Sequence, residues 1–132
     1  MFSTNTIILV ADDMSTMRKK LMKTLRESGF TEFVEAENGR VAWQKIESAS
    51  PPIGLVLSDW NMPEATGLDL LKRVRADGRF KTLPFVLITA ESDNAQVVEA
   101  IQAGVTNYIV KPFTNETLMQ KLEATYKKVT NS

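Results

Sequence analysis

The chain has 132 residues, room for one compact domain that buries roughly two thirds of the surface its unfolded form exposes. Its 16 basic and 16 acidic residues cancel, so no net field draws it to nucleic acid or to a membrane surface. Cys and His are both absent, which excludes disulfides, zinc sites built on thiolate or imidazole, and Ser-His-Asp or Cys-His catalysis.

A β-branched apolar run over 7–11 predicts the first strand, ending on Asp12-Asp13. Ser15 reads as the N-cap of a helix with Met17, Leu21, Met22 and Leu25 on one side and Gly29 as its stop. Residues 33–37 predict a second strand, Asn38-Gly39 a turn pair, and Val41, Ala42 and Ile46 a short helix before Pro51-Pro52. The third strand is expected over 55–58, followed by a helix from Gly67 with Leu68, Leu71 and Val74 at helical spacing and Asp77-Gly78 at its end.

Residues 85–88 predict the fourth strand, ending on Thr89, and Asp93 the cap of a helix with Val97, Val98 and Ile101 as its apolar residues and Gly104 as its stop. The fifth strand is expected over 108–110, and the last helix from an N-cap at Thr114, with Leu118, Leu122 and Tyr126 as its buried stripe. Five apolar strands alternating with five amphipathic helices predict an α/β doubly wound parallel sheet with right-handed crossovers, order 2-1-3-4-5, of the flavodoxin-like class. The chain lacks the charged start and long apolar stretch of a signal peptide, and a cytoplasmic monomer is expected.

Four of the five strands end in polar residues: Asp12 and Asp13, Asp59, Thr89 and Lys111. In an open parallel sheet these ends share one edge, and ligands bind where strand order reverses, here between the first and third strands. Any one aspartate after a strand reads equally well as a loop cap. Three in one crevice would repel one another, and the arrangement makes more sense around a hard divalent cation with oxygen ligands, magnesium above all. An aspartate beside magnesium can accept a phosphoryl group as an acyl phosphate, and Asp59 is the central candidate, with Thr89 as hydroxyl donor and Lys111 as a point charge. Read singly, Thr89 is as well a β-branched strand residue and Lys111 a solvated side chain.

Asp12-Asp13, Asp59, Thr89 and Lys111-Pro112 together resemble the motif set of response-regulator receiver domains of two-component signalling, over residues 7–129. The resemblance implies one receiver domain spanning 1–132 with no output domain, phosphorylated on Asp59 by a sensor histidine kinase. It implies magnesium held through Asp13, Asp59 and the backbone carbonyl of Asn61, with Asp12 acting through water. The segments Asp12-Asp13-Met14-Ser15-Thr16-Met17-Arg18, Ser58-Asp59-Trp60-Asn61-Met62-Pro63, Arg75-Ala76-Asp77-Gly78, Thr89-Ala90-Glu91, Gln102-Ala103-Gly104 and Val110-Lys111-Pro112-Phe113-Thr114 are similar to the chemotaxis members of that family.

That narrower resemblance implies a phosphorylation-switched protein that binds the flagellar motor switch and turns over no separate metabolite, with a phosphatase as a further candidate partner. It implies that Asn61 and Glu91 modulate hydrolysis of the acyl phosphate. Tyr108 would rotate inward on activation, within an output surface of Val97, Tyr108, Met119 and Lys121, where Met119 is expected to point away from the buried stripe of its helix. Thr66 stands where an Asp before the glycine is usual, and Ser92-Asp93-Asn94 lacks a basic pair found in enteric relatives. A receiver acting in a non-motor relay stays open. A phosphatase with an aspartate nucleophile would want a second Asp at the position of Asn61, and a flavin carrier would want a glycine- and hydroxyl-rich first loop.

Overall fold

The computed structural model describes residues 1–90 and 94–130. Five parallel strands, β1 (Ile7–Ala11), β2 (Glu32–Ala36), β3 (Leu55–Asp59), β4 (Phe85–Thr89) and β5 (Asn107–Val110), form one sheet in the order β2-β1-β3-β4-β5. Five helices alternate with them: α1 (Ser15–Glu27), α2 (Gly39–Ser48), α3 (Gly67–Ala76), α4 (Asn94–Gln102) and α5 (Asn115–Thr130). Every residue of β3 and β4 is buried, as expected for central strands covered on both faces. The expected architecture and strand order are those observed.

Alternation along the strands divides the core in two. Leu9, Val56 and Leu87 pack with Trp43 and Ile46 of α2, Leu71 and Val74 of α3 and Ala100 of α4. Ile8, Val10 and Leu57 face the other way, onto Leu21 and Leu25 of α1 and Leu118 and Leu122 of α5. Each such Leu contributes about 1.5–3 kcal/mol through burial, and this asymmetry assigns α1 and α5 to one layer and α2, α3 and α4 to the other. Among the described residues no helix is long and apolar enough to cross a membrane.

Local details depart from expectation in four places. Met14, not Ser15, is the N-cap of α1 and makes no side-chain capping bond; Asp12 instead accepts from the Met14 N–H at 2.9 Å, so the carboxylate turns the chain before the helix starts. Asn38 is the N-cap of α2 rather than half of a free turn, its Oδ1 accepting from the Val41 N–H at 2.8 Å. The helix from Gly67 is opened by a capping box of Thr66 and Asp69, which accounts for the threonine at that position. In α4, Val98 and Ile101 are 50% and 61% exposed, Val97 is half-buried and Ala100 is buried: the helix meets the sheet through a small residue and turns Val98 and Ile101 outward. The cap expected at Asp93 lies outside the described residues. Thr114 caps α5 as expected, accepting from the Thr117 N–H at 3.0 Å.

Arg75, which begins one of the segments that carry the resemblance, ties the far edge of the fold together. Its guanidinium donates to the carbonyls of Gly104 at 2.8 Å and Leu83 at 2.7 Å and to Thr106 Oγ1 at 3.2 Å. The end of α3, the start of β4 and the approach to β5 are thereby held by one planar group, and burial pushes its pKa down from the ordinary guanidinium value without discharging it.

Candidate functional site

The chain crosses from β1 to β2 on one side and from β2 back past β1 to β3 on the other; this reversal opens a crevice at the carboxyl edge, and the polar strand ends meet there. Asp12, Asp13 and Asp59 each bring a carboxylate oxygen within 4.8 Å of the others. Lys111 Nζ lies 3.0 Å from Asp59 Oδ1 and 3.9 Å from Asp12 Oδ2. The Lys111-Pro112 peptide bond is cis. Asp12 and Asp59 are each 8% exposed, whereas Asp13 is in solvent, so two carboxylates form the floor and one the rim.

One ammonium offsets only part of the charge of three carboxylates, and the donor set is all oxygen. The cluster fits a hard divalent cation such as magnesium. Burial raises the pKa of Asp12, the charges of Asp59 and Asp13 push the same way, and the Met14 N–H and Lys111 oppose them. Arg18 steadies the loop that carries this carboxylate, its Nη1 donating to the Asp12 carbonyl at 2.6 Å and its Nε to Glu35 Oε1 at 2.9 Å. Its Glu35 partner comes from the neighbouring strand β2, which spacing along α1 does not reveal.

A carboxyl whose pKa rises on folding favours the neutral form in the native state, so stability falls as pH climbs from the ordinary carboxylate value through the raised one. Asp12→Asn removes that cost. Without magnesium the variant is expected to unfold several degrees above the parent, a gain of about 1 kcal/mol. With magnesium present the gap closes, because the cation stabilises the parent by binding. Thermal unfolding at both conditions checks this, and an Asn variant that melts below the parent in metal-free buffer would contradict it.

The remaining site residues are placed as follows. Thr89 is buried at the end of β4, one residue beyond Ile88, which pairs in register with Asp59. Asn61 is exposed two residues after Asp59, while its neighbours Trp60 and Met62 are buried packing residues. Glu91 lies outside the described residues. Tyr108, on edge strand β5, is half-buried with Lys121 Nζ 4.8 Å from its ring centroid, so these two are brought together. Val97 is half-buried on α4.

Met119 does not stand clear of the buried stripe as expected: it is half-buried against the core cluster of α1 and α5. The apolar face of α5 is wide, with Met119, Tyr126 and Val129 flanking Leu118 and Leu122, and a single-row reading of its periodicity is too narrow. A cleft of about 390 Å³ adjoins the site, lined by Asp12 and Lys111 together with apolar Met17, Leu21, Ile88 and Phe113. Strand-end spacing does not reveal it, since its walls come from α1 and from the segment after β5.

The family model for the response regulator receiver domain matches residues 8–123. The chain belongs to the response regulator receiver family. The receiver is 51% identical over 116 residues to the chemotaxis protein CheY1 of Helicobacter pylori, a match covering 88% of this chain and 93% of that protein. It is 46% identical over 122 residues to the chemotaxis protein CheY of Pseudomonas aeruginosa, covering 92% and 97% of the two chains. Among solved structures, the chemotaxis response regulator CheY4 of Vibrio cholerae superposes with a TM-score of 0.83 at 32% identity, covering 92% of the receiver and 98% of that chain.

Proposed function

We propose that this receiver is a cytoplasmic, phosphorylation-switched signalling protein of chemotaxis, with Asp59 as its phosphoacceptor. The observation that carries the reading is the Lys111 ammonium 3.0 Å from Asp59 within a cluster of three carboxylates, a balance of charge suited to a phosphoryl group and a divalent cation together. A carboxylate oxygen of Asp59 attacks the phosphorus of a phosphohistidine on the sensor kinase. The P–N bond breaks, its electron pair leaves with the imidazole, and an acyl phosphate remains on Asp59.

Asp13, Asp59 and the Asn61 carbonyl would hold magnesium directly, and Asp12 through water. Magnesium, when bound, offsets charge on the carboxylates and on the phosphoryl oxygens. Lys111 supplies a point charge to those oxygens and Thr89 a hydroxyl donor. Asn61, two residues after the acceptor, and Glu91 would modulate the hydrolysis that removes the phosphoryl group.

Drawing Thr89 toward the phosphoryl group shifts the population toward a state in which Tyr108 turns inward, changing the surface of Val97, Tyr108, Met119 and Lys121. The similarity to chemotaxis proteins named CheY supports the flagellar motor switch as the partner of that surface. Intact mass after incubation with acetyl phosphate and magnesium tests the chemistry. For the output, a motor-switch segment is expected to bind more tightly in the presence of beryllofluoride; equal capture with and without it would count against the switch.

A further inference from the structure

The loop between β3 and α3 carries Asn61 and turns at Glu64, where the backbone has φ 65, the left-handed region that a residue with a Cβ disfavours. Among the described residues it is the one non-glycine residue in that region. Such a conformation persists when its surroundings hold it, and here the start of α2 does so. Asn38 Nδ2 donates to Glu64 Oε2 at 2.8 Å, Arg40 Nε donates to Glu64 Oε1 at 3.1 Å, and the Gly39 N–H donates to the Ala65 carbonyl at 3.0 Å.

These contacts are unequal. Arg40 and Glu64 are both 52% exposed, so their ion pair is screened and weak. Asn38 is 4% exposed, and its amide is used at both ends: Oδ1 caps α2 through the Val41 N–H, and Nδ2 holds Glu64. The two backbones are also pressed together, because a Cβ on Gly39 would stand 2.6 Å from the Ala65 carbonyl oxygen. At its other end the loop is closed by the Gly67 N–H donating to the Trp60 carbonyl at 2.9 Å.

We propose that Asn38 and Glu64 form a clamp that positions the β3–α3 loop, and so the Asn61 carbonyl, for the cation. They are positioning residues, acting through the loop and touching neither metal nor phosphoryl group. The inference rests on the proposed function, in which Asn61 contributes a magnesium ligand. Groups that orient the ligands of a metal commonly change its affinity about 10-fold or more when they are removed.

The test exchanges the polarity of one bond. Asn38→Asp keeps the helix cap, since Asp and Asn cap alike, but it sets a carboxylate oxygen against Glu64 where a donor stood. Magnesium titrations followed by tryptophan fluorescence, with Trp60 next to Asp59 in the chain, are expected to show about 10-fold weaker binding. Adding Glu64→Gln to Asn38→Asp restores a donor and an acceptor with their places reversed at unchanged side-chain length, and most of the lost affinity is expected to return. Glu64→Gly relieves the left-handed backbone while removing the partner of Asn38, so it is expected to fold well and still bind magnesium weakly.

Parent-like affinity in Asn38→Asp or in Glu64→Gly would overturn the clamp, as would failure of the reversed pair to recover. Should Asn38→Asp not fold, Glu64→Gly decides the matter. A parent chain with no magnesium response at all would overturn the metal chemistry of the proposed function and the clamp with it.

Discussion

Asp59→Asn is expected to gain no mass from acetyl phosphate and magnesium under conditions in which the parent gains one phosphoryl group. Three carboxylates share the crevice, and their surroundings differ. Asp59 lies 3.0 Å from Lys111, Asp12 lies 3.9 Å away, and Asp13 is in solvent. A phosphoryl group adds negative charge, so the acceptor nearest the ammonium gains most from it, and the Coulomb term weakens with distance. Amide nitrogen and oxygen are poor nucleophiles beside a carboxylate, and the variant loses the attacking atom itself. Intact mass distinguishes the alternatives: undiminished addition on Asp59→Asn would move the acceptor to Asp12 or Asp13 and sink the assignment.

Gly67→Ala carries the largest expected effect on stability. The Cβ would lie 2.3 Å from the Asp59 carbonyl oxygen, 2.8 Å from Leu87 Cδ2 and 3.1 Å from Ser58 Oγ, so backbone and not merely a flexible side chain must move. A cost of about 3 kcal/mol is expected, roughly 10 °C in Tm. Because the clash falls on the peptide that leads out of Asp59, acetyl phosphate is expected to modify the folded variant more slowly as well. Gly78→Ala is the control: a Cβ there meets nothing within 4 Å, and a change within about 0.5 kcal/mol is expected. If the two alanine variants unfold together, the close packing of α3 against the end of β3 is not what Gly67 provides.

The same pair of positions shows how far periodicity and spacing reach. Gly67 and Gly78 are alike as letters, one beginning a helix and one following its end, and only the distance to the Asp59 carbonyl separates an essential glycine from an idle one. Likewise Val97, Val98 and Ile101 promise a buried stripe, but helical spacing says which residues share a side and not whether that side is covered. In α4 the covered residue is Ala100, while Val98 and Ile101 stand in solvent. The Thr66 and Asp69 capping box is legible as a threonine with an acid three residues on, a local signal that acts within one turn of the chain.

What the amino-acid sequence determined by itself was the alternation of apolar strands and amphipathic helices, and with it the sheet, its order and the edge on which Asp12, Asp13, Asp59, Thr89 and Lys111 stand. These follow from local periodicity and from the chirality of parallel crossovers, which act along the chain. Only the tertiary structure decided the contacts between distant segments: Arg18 on Glu35, Arg75 across the loops before β4 and β5, and Asn38 on Glu64. Those bonds join residues whose nearness depends on how whole elements dock, and no spacing within one segment encodes them. The proposed phosphoacceptor chemistry is therefore written in strand ends, while the alignment of its residues depends on packing.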